Sequence, residues 1–269
     1  MSDDRPTPKP KPKPKRRKWR WIAGFVVFAA LFGAVGIPYI YIHFINKPAP
    51  KLSFEQRDKE LAAAAATAAS SDISAAVVAS TDTTAASTSA AAASTDSVDG
   101  TWIIVSPSTA GYRVKEVLNG QSTEAVGRTS GVEGTVTIGG TSVTAVDLSV
   151  DMTTLASNES RRDDAFRGRI MNTEEFPVAL FSLTEPIVLG AIPDVGATAT
   201  ATAKGTLTMH GVEKAVEVAV TARRSASTIE VLGTIPIAFA DYGVANPSIG
   251  FVKTADTGVI EFLLTLGKS

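Results

Sequence analysis

Apolar residues are placed in three different ways along this chain. From Val98 to Ser269 they recur at a period of two; from Ala62 to Ser97 large ones almost vanish; from Trp21 to Ile45 they form one long, nearly uncharged run. The period of two predicts strands with one buried and one wetted face. Val146, Leu148, Val150 and Met152 alternate with Asp147, Ser149 and Asp151, and Val216, Val218 and Val220 alternate with Glu217 and Thr221. The last segment, Val259 to Leu266, sets Ile260, Phe262, Leu264 and Leu266 on one face and a mixed set, Val259, Glu261, Leu263 and Thr265, on the other. Two partly apolar faces there predict an interior wider than a thin core.

Further strands are expected over Thr101 to Val105, Tyr112 to Leu118, Val132 to Ile138, Val178 to Leu183, Ala199 to Met209 and Thr228 to Phe239. Asn119-Gly120, Gly139-Gly140, His210-Gly211, Gly243 and Asn246-Pro247 punctuate them as turns. Eight or more antiparallel strands at short spacing predict an all-β barrel or sandwich over residues 98–269. One segment breaks the pattern. Asn158 to Met171 offers Ser160-Arg161-Arg162-Asp163 as a helix start resembling a capping box, with Phe166 and Ile170 four apart on one face. A short helix is expected there, its charges forming a solvated face with local ion pairs.

The run from Ile22 to Ile45, at about 1.5 Å per residue, spans roughly 36 Å as a helix, enough to cross a hydrocarbon core. Trp19 and Trp21 at one end, and Tyr39, Tyr41 and His43 at the other, suit the two interfaces. A cleaved secretory signal is the rival reading, but its apolar core is about 7 to 15 residues and ends at small residues. Here the run continues to Ile45 and is followed by Asn46-Lys47-Pro48, which favours a retained transmembrane helix over 21–45.

Charge sets its direction. Residues 1–20 hold nine basic side chains against Asp3 and Asp4, a net +7, so the whole-chain charge of −1 leaves −8 for the remainder. Basic flanks stay on the cytoplasmic side. The expectation is a single-pass protein of the cell membrane, with a Pro/Lys-rich cytoplasmic tail (1–20) and an extracytoplasmic C-terminal domain. The tail suits contact with anionic headgroups, whereas its composition alone is a weak signal for nucleic acid. Between anchor and domain, 30 of the 36 residues from Ala62 to Ser97 are Ala, Ser or Thr, too little apolar surface to offset the entropy of ordering. Residues 46–97 read as a flexible linker of about 40 Å typical span. A short helix from Phe54 through Leu61 could extend into Ala62–Ala66, but the following Ser/Thr oppose it. O-glycosylation is a compositional option.

Little catalytic chemistry is available. Without cysteine there is no disulfide, thiolate nucleophile or zinc site of the usual type. His210 is the one histidine of the domain and precedes Gly211, so a turn contact is favoured over a catalytic base. No nucleophile elbow, Walker loop or H-E-x-x-H is found. Asp147 and Asp151 read as solvent-facing rather than as a glycosidase pair. Neither cofactor nor metal is expected, and an antiparallel barrel can enclose one small apolar ligand.

The domain's irregular features, read in order, resemble the YceI-like family. They are Asp99-Gly100-Thr101-Trp102; Gly111-Tyr112-Arg113-Val114-Lys115-Glu116-Val117-Leu118; Gly127 with Gly131-Val132-Glu133-Gly134-Thr135-Val136; and Val150-Asp151-Met152. Then follow Ser160-Arg161-Arg162-Asp163, Phe166-Arg167-Gly168-Arg169, Glu175-Phe176-Pro177, Leu207-Thr208-Met209-His210-Gly211-Val212 and Phe239-Ala240-Asp241-Tyr242-Gly243. The resemblance covers 99 to 269. It implies an extended, lipocalin-like antiparallel β-barrel whose apolar interior holds a polyisoprenoid chain, such as the tail of an isoprenoid quinone, and no enzymatic activity. Most members are exported through a cleaved signal; an anchor with a stalk looks like actinobacterial members. Where a histidine often follows the first strand, this chain has Ser108-Thr109-Ala110-Gly111.

Alternation and nearness to these segments make Phe166, Phe176, Phe181, Phe239, Phe251 and Phe262 the expected lining of the interior, with ordinary core packing as the alternative for each. Three functions follow. The first is a tethered carrier or buffer of an isoprenoid lipid. The second is a non-catalytic envelope module with a solid barrel and a binding surface near Arg161 to Arg169. The third and weakest is a hydrolase, which needs His210 beside a hydroxyl and a carboxylate.

Overall fold

Strand β1 (Gly100–Leu118) is the longest strand among the described residues and the one around which the sheet closes. In the computed structural model, which describes residue 25 and residues 47–72, 97–118 and 120–269, it continues through the Ser106-Pro107 break where two strands are expected from the sequence. Ser108 makes this possible. Its hydroxyl donates to Val105 O at 2.6 Å and accepts from Thr265 N at 2.9 Å, which bridges the register shift between Val105 and Thr109.

The other strands are β2 (Gln121–Thr129), β3 (Val132–Gly139), β4 (Ser142–Asp151), β5 (Ala156–Ser157), β6 (Val178–Leu183), β7 (Ile187–Val188), β8 (Thr198–Met209), β9 (Val212–Arg224), β10 (Thr228–Ala238) and β11 (Val252–Lys268). Eight of them, in the order β1-β3-β4-β6-β8-β9-β10-β11, form an antiparallel barrel that β11 closes on β1, from Trp102↔Lys268 to Leu118↔Val252. The wall forks along β1: Gly100 to Ile103 pair with β3, whereas Ala110 to Leu118 pair with β2. β2 was not expected, because Gln121-Ser-Thr-Glu carries no apolar alternation; its place is set by pairing with β1.

The pairings define two ends. At one lie the turn after β3, the 184–197 connection and Trp102, whose indole donates to Val98 O at 2.8 Å. At the other lie the β1–β2 turn, the His210-Gly211 turn, the 239–251 connection and the expected short helix. That helix, taken here as α2 (Ser160–Ala165), continues into a π-helical turn, Phe166–Ile170. The capping-box reading is corrected in detail. Glu159 is the N-cap with no side-chain bond, and the buried Asp163 carboxylate reaches back to Ser157 N and Oγ at 2.8 and 2.6 Å. Its expected charged face is solvated in part: Arg167 pairs with Asp164, while the half-buried Arg162 reaches Glu116.

A second helix, α1 (Phe54–Asp72), precedes the barrel. Ser53 caps it by accepting from Gln56 N, and Glu55–Lys59 and Gln56–Glu60 bond at i,i+4 before the alanine run extends it. The expected flexible linker over 46–97 therefore differs from what is found in its first part: residues 49–58 lie on the barrel's outer wall. Arg113 donates to Ala49 O and Pro50 O at 2.9 and 3.1 Å, and Arg128 also donates to Pro50 O. Arg57, 5% exposed, donates to Pro107 O, Thr265 Oγ1 and Leu263 O. Arg223 grips both Asp58 oxygens and lies over the Phe54 ring.

This segment explains the second face of β11. Glu261, Leu263 and Thr265 point outward and are buried under residues 49–58 and the β1 side chains, not against a wider interior. The expectation drawn from two apolar faces is thereby corrected. The basic tail 1–20, the expected membrane span 21–45 (Phe25 apart) and linker residues 73–96 lie outside the described residues. Among the described residues no helix is long and apolar enough to cross a membrane.

Replacing Arg57 by Ala removes its charge-assisted bonds to Leu263 O, Thr265 Oγ1 and Pro107 O, of which Pro107 O keeps the Thr265 hydroxyl as a donor. The expected loss is about 2–3 kcal/mol in urea unfolding, the scale of charge-assisted hydrogen bonds. Trypsin should cut α1 faster in this variant, while the near-UV signal of the barrel stays.

Candidate functional site: the apolar interior at the helix end

Each barrel strand turns one alternate set of side chains inward. Val136 and Ile138 of β3, Ala179 and Phe181 of β6, Ala203 and Leu207 of β8, Val218 of β9, Ile235 of β10 and Leu264 and Leu266 of β11 share this face. Two main clusters fill the interior. Toward Trp102 lie the buried Val98, Trp102, Val136, Ile138, Ile229 and Leu266, with partly exposed Ile104, Val143, Val146 and Val231 packed against them. Toward α2 a larger cluster combines buried residues such as Met152, Leu207, Met209, Val218 and Ile235 with the partly exposed Tyr112, Phe181, Val216, Val220, Ile237, Phe239, Ile260 and Phe262. Apolar side chains on an inward face that keep accessible surface line a space a ligand chain can enter.

Glycines shape the wall of this half. Gly127 faces Tyr112, Gly205 faces Phe181 and Gly233 faces Phe262, and a Cβ at any of the three would fall within the aromatic ring across from it. Missing side chains let the rings lie against the strands instead of projecting to the barrel axis. Phe166, on the π-helical turn, stacks on Tyr112 with centroids 5.2 Å apart and planes 12° from parallel, which fixes α2 over the fork in the wall. Burial pushes the Tyr112 phenol up to about 12, so it stays neutral.

Of the six phenylalanines expected to line the interior, Phe166, Phe181, Phe239 and Phe262 belong to this one cluster. Phe176 does not. It stands on the turn side, 4.9 Å from the His210 ring in an edge-on contact and against Gly211. Phe251 is 65% exposed on the turn before β11, because Gly250 at φ 58° reverses the chain and aims it outward. Sequence reading also passed over Tyr112 and Tyr242. Tyr242 is 2% exposed within the cluster, and its hydroxyl has no hydrogen-bond partner among the described residues. Burial, with the neighbouring Asp241 charge, raises its pKa, so it is a hydroxyl donor at neutral pH.

The interior carries no acid–base machinery around His210. Its Nδ1 lies 2.9 Å from Tyr242 O, and since a carbonyl only accepts, Nδ1 holds the proton. The imidazole thus ties the β8–β9 turn to the 239–242 turn. Asp147 faces solvent and accepts from Ser182, and Asp151 caps Thr153 N. No cluster of three or more potential metal ligands is found among the described residues.

An eight-stranded barrel with this interior has known counterparts, and residues 102–266 match the YceI-like domain. The chain belongs to the YceI-like family. This is a family of binding domains, generally non-catalytic. No curated protein matches the chain at a significant level. Among solved structures, a polyisoprenoid binding domain from Saccharophagus degradans implicated in plant cell wall breakdown shares the fold. It is 18% identical at a TM-score of 0.52, over 63% of this chain and 98% of that one. Burkholderia cenocepacia BcnA (20% identity, TM-score 0.44, 57% and 95% covered) and a Campylobacter jejuni YceI protein (11%, 0.40, 53% and 84%) are more distant. This YceI-like barrel has serine-centred bridging at Ser108.

If the aromatic rings lie flat because glycine faces them, Gly205→Ala and Gly233→Ala must push Phe181 and Phe262 into the interior. Each is expected to destabilise by about 1–3 kcal/mol, as overpacking does. Thermal melting checks it, with Gly168→Ala, whose Cβ meets nothing within 4 Å, as the control that leaves the midpoint near wild type.

Proposed function

We propose that this protein is a membrane-anchored, extracytoplasmic binding protein that sequesters or carries a polyisoprenoid or isoprenoid-quinone-type lipid inside the barrel. The observation that carries the reading is the apolar inward face of the barrel, on which Tyr112, Phe181, Val220, Phe239 and Phe262 keep partial exposure. An apolar barrel interior suits a long hydrocarbon tail, whose burial contributes about 0.8 kcal/mol per CH₂. Support comes from the family and from the S. degradans domain, itself described as polyisoprenoid-binding. The anchor rests on the apolar run 21–45 and its basic flank. Phe166, Phe181, Phe239 and Phe262 are the lining phenylalanines in this reading.

Tyr242 favours a lipid with an acceptor oxygen at one end. A buried hydroxyl without a partner costs about 1–3 kcal/mol, and a quinone carbonyl or similar oxygen reaching it would satisfy the donor. The apolar tail would then extend along Phe239, Phe262 and Phe181 toward Trp102.

Native mass spectrometry of the full chain, purified from its own membrane in mild detergent, is expected to show a bound lipid of isoprenoid mass. Val220→Trp, which fills the inward face, should abolish it with the fold intact; an empty wild-type barrel would make the domain a solid interaction module instead. Tyr242→Phe is expected to weaken a quinone-headed isoprenoid by about tenfold, the scale of one hydrogen bond, while a polyprene hydrocarbon binds unchanged.

A further inference from the structure

The connection between β10 and β11 carries two large apolar side chains that nothing among the described residues covers: Ile249 is 63% exposed and Phe251 65%. They are not on a frayed loop. Ile249 N donates to Val252 O and Val252 N to Ile249 O, at 3.0 and 2.9 Å, closing a turn whose Gly250 adopts the left-handed conformation at φ 58°. Behind it, the Asn246 amide donates to Thr254 O and Asp256 Oδ1, the Ser248 hydroxyl accepts from Thr254 N, and Arg169 of the π-helical turn donates to Pro247 O. Holding two apolar side chains outward on a braced tip marks a surface built to be covered.

The tip stands at the helix end of the barrel, beside the starts of β2 and β11. Val117, also exposed, is the β-pair partner of Lys253, so apolar and cationic groups alternate there. Arg169 and Lys253 flank the tip, and the nearby Asp256 is engaged by Asn246. An apolar tip with flanking cations is the pattern that inserts at the interface of an anionic bilayer.

The course of the chain points the same way. Arg57 is held at the level of Thr265 and Leu263, and Ala49 and Pro50 at the level of Arg113, the partner of Val259. Traced back toward residue 48, the segment therefore descends β11 toward its beginning, which is the end that carries Ile249 and Phe251. From Pro48 three peptide steps, at most about 11 Å, reach Ile45, the last residue of the expected membrane span.

We infer that the Ile249–Phe251 tip docks on the lipid surface of the membrane that holds the chain. This rests on the anchoring proposed above. The docked barrel takes up or releases its lipid at the headgroup surface rather than at the end of a long free stalk.

The chain has no cysteine, so single probes are readily placed. The full chain, as Phe251→Cys, Val188→Cys or Val195→Cys, is labelled with bimane and reconstituted in phosphatidylcholine/phosphatidylglycerol nanodiscs with and without nitroxide-headgroup lipid. Val188 and Val195 are exposed at the Trp102 end. Quenching is expected to be several-fold stronger at 251 than at 188 or 195. Equal or reversed quenching overturns the inference, as does a probe at 251 shielded from aqueous quencher but untouched by lipid, which would mean a protein partner there. The double variant Ile249→Ser/Phe251→Ser should melt like wild type and lose quenching from a probe at 117. Lipid found in the barrel without quenching at 251 removes this inference alone; quenching with an empty barrel removes only the proposed ligand.

Discussion

Closure of β11 on β1 is the constraint from which the other features of this barrel follow. Their pairing runs almost the full length of both strands and gives each strand an inner and an outer role. On the inside, Ala110, Tyr112, Ile260, Phe262 and Leu264 join the apolar interior. On the outside, Arg113, Glu124, Arg128 and Glu261 form a network at 2.7–3.1 Å beneath Ala49 and Pro50. Burial works against the Arg113 charge, and the Glu261 and Glu124 carboxylates more than restore it. Buried charges are costly to bring out of water, and the carbonyls of the N-terminal segment satisfy the donors the carboxylates leave. The seam and the docked segment thus depend on one another.

That dependence changes the geometry of attachment. A linker free from Asn46 would let the domain wander over tens of ångströms. Bonds from Arg113, Arg128 and Arg223 to residues 49–58, and from Arg57 to the wall, instead fasten that segment to the barrel. The forked wall has a similar logic. Because β1 leaves β3 and takes up β2, a gap opens at one end, and α2 with Phe166 is seated over it through Tyr112.

Much of this barrel was legible in residue order. β6 runs over Val178–Leu183 as alternation predicts, and β3, β8 and β10 agree with it to within one residue at either end, because one wetted face leaves a period of two in the sequence; β11 begins at Val252, seven residues before the expected Val259. The helix at Ser160 was legible from its start residues and from Phe166 and Ile170. β2 was not, since its polar residues gain their place from β1 alone. Four of the six candidate lining phenylalanines gather in one cluster, whereas Phe251 points out because a left-handed glycine, not the strand period, sets its direction. Tyr242 was passed over because an unpartnered hydroxyl is a property of surroundings, which a string of residues does not carry.

By itself the sequence determined the strands, the turns between them, the apolar run at 21–45 and the absence of thiol chemistry, all of which depend on local spacing or on composition. Only the tertiary structure decided which face of β11 lines the interior and which lies under residues 49–58. It alone decided that Arg57 and Arg113 fasten the segment the composition had marked as free. Each of these depends on contacts between residues far apart in the chain, and neither spacing nor composition encodes which distant partner a side chain meets.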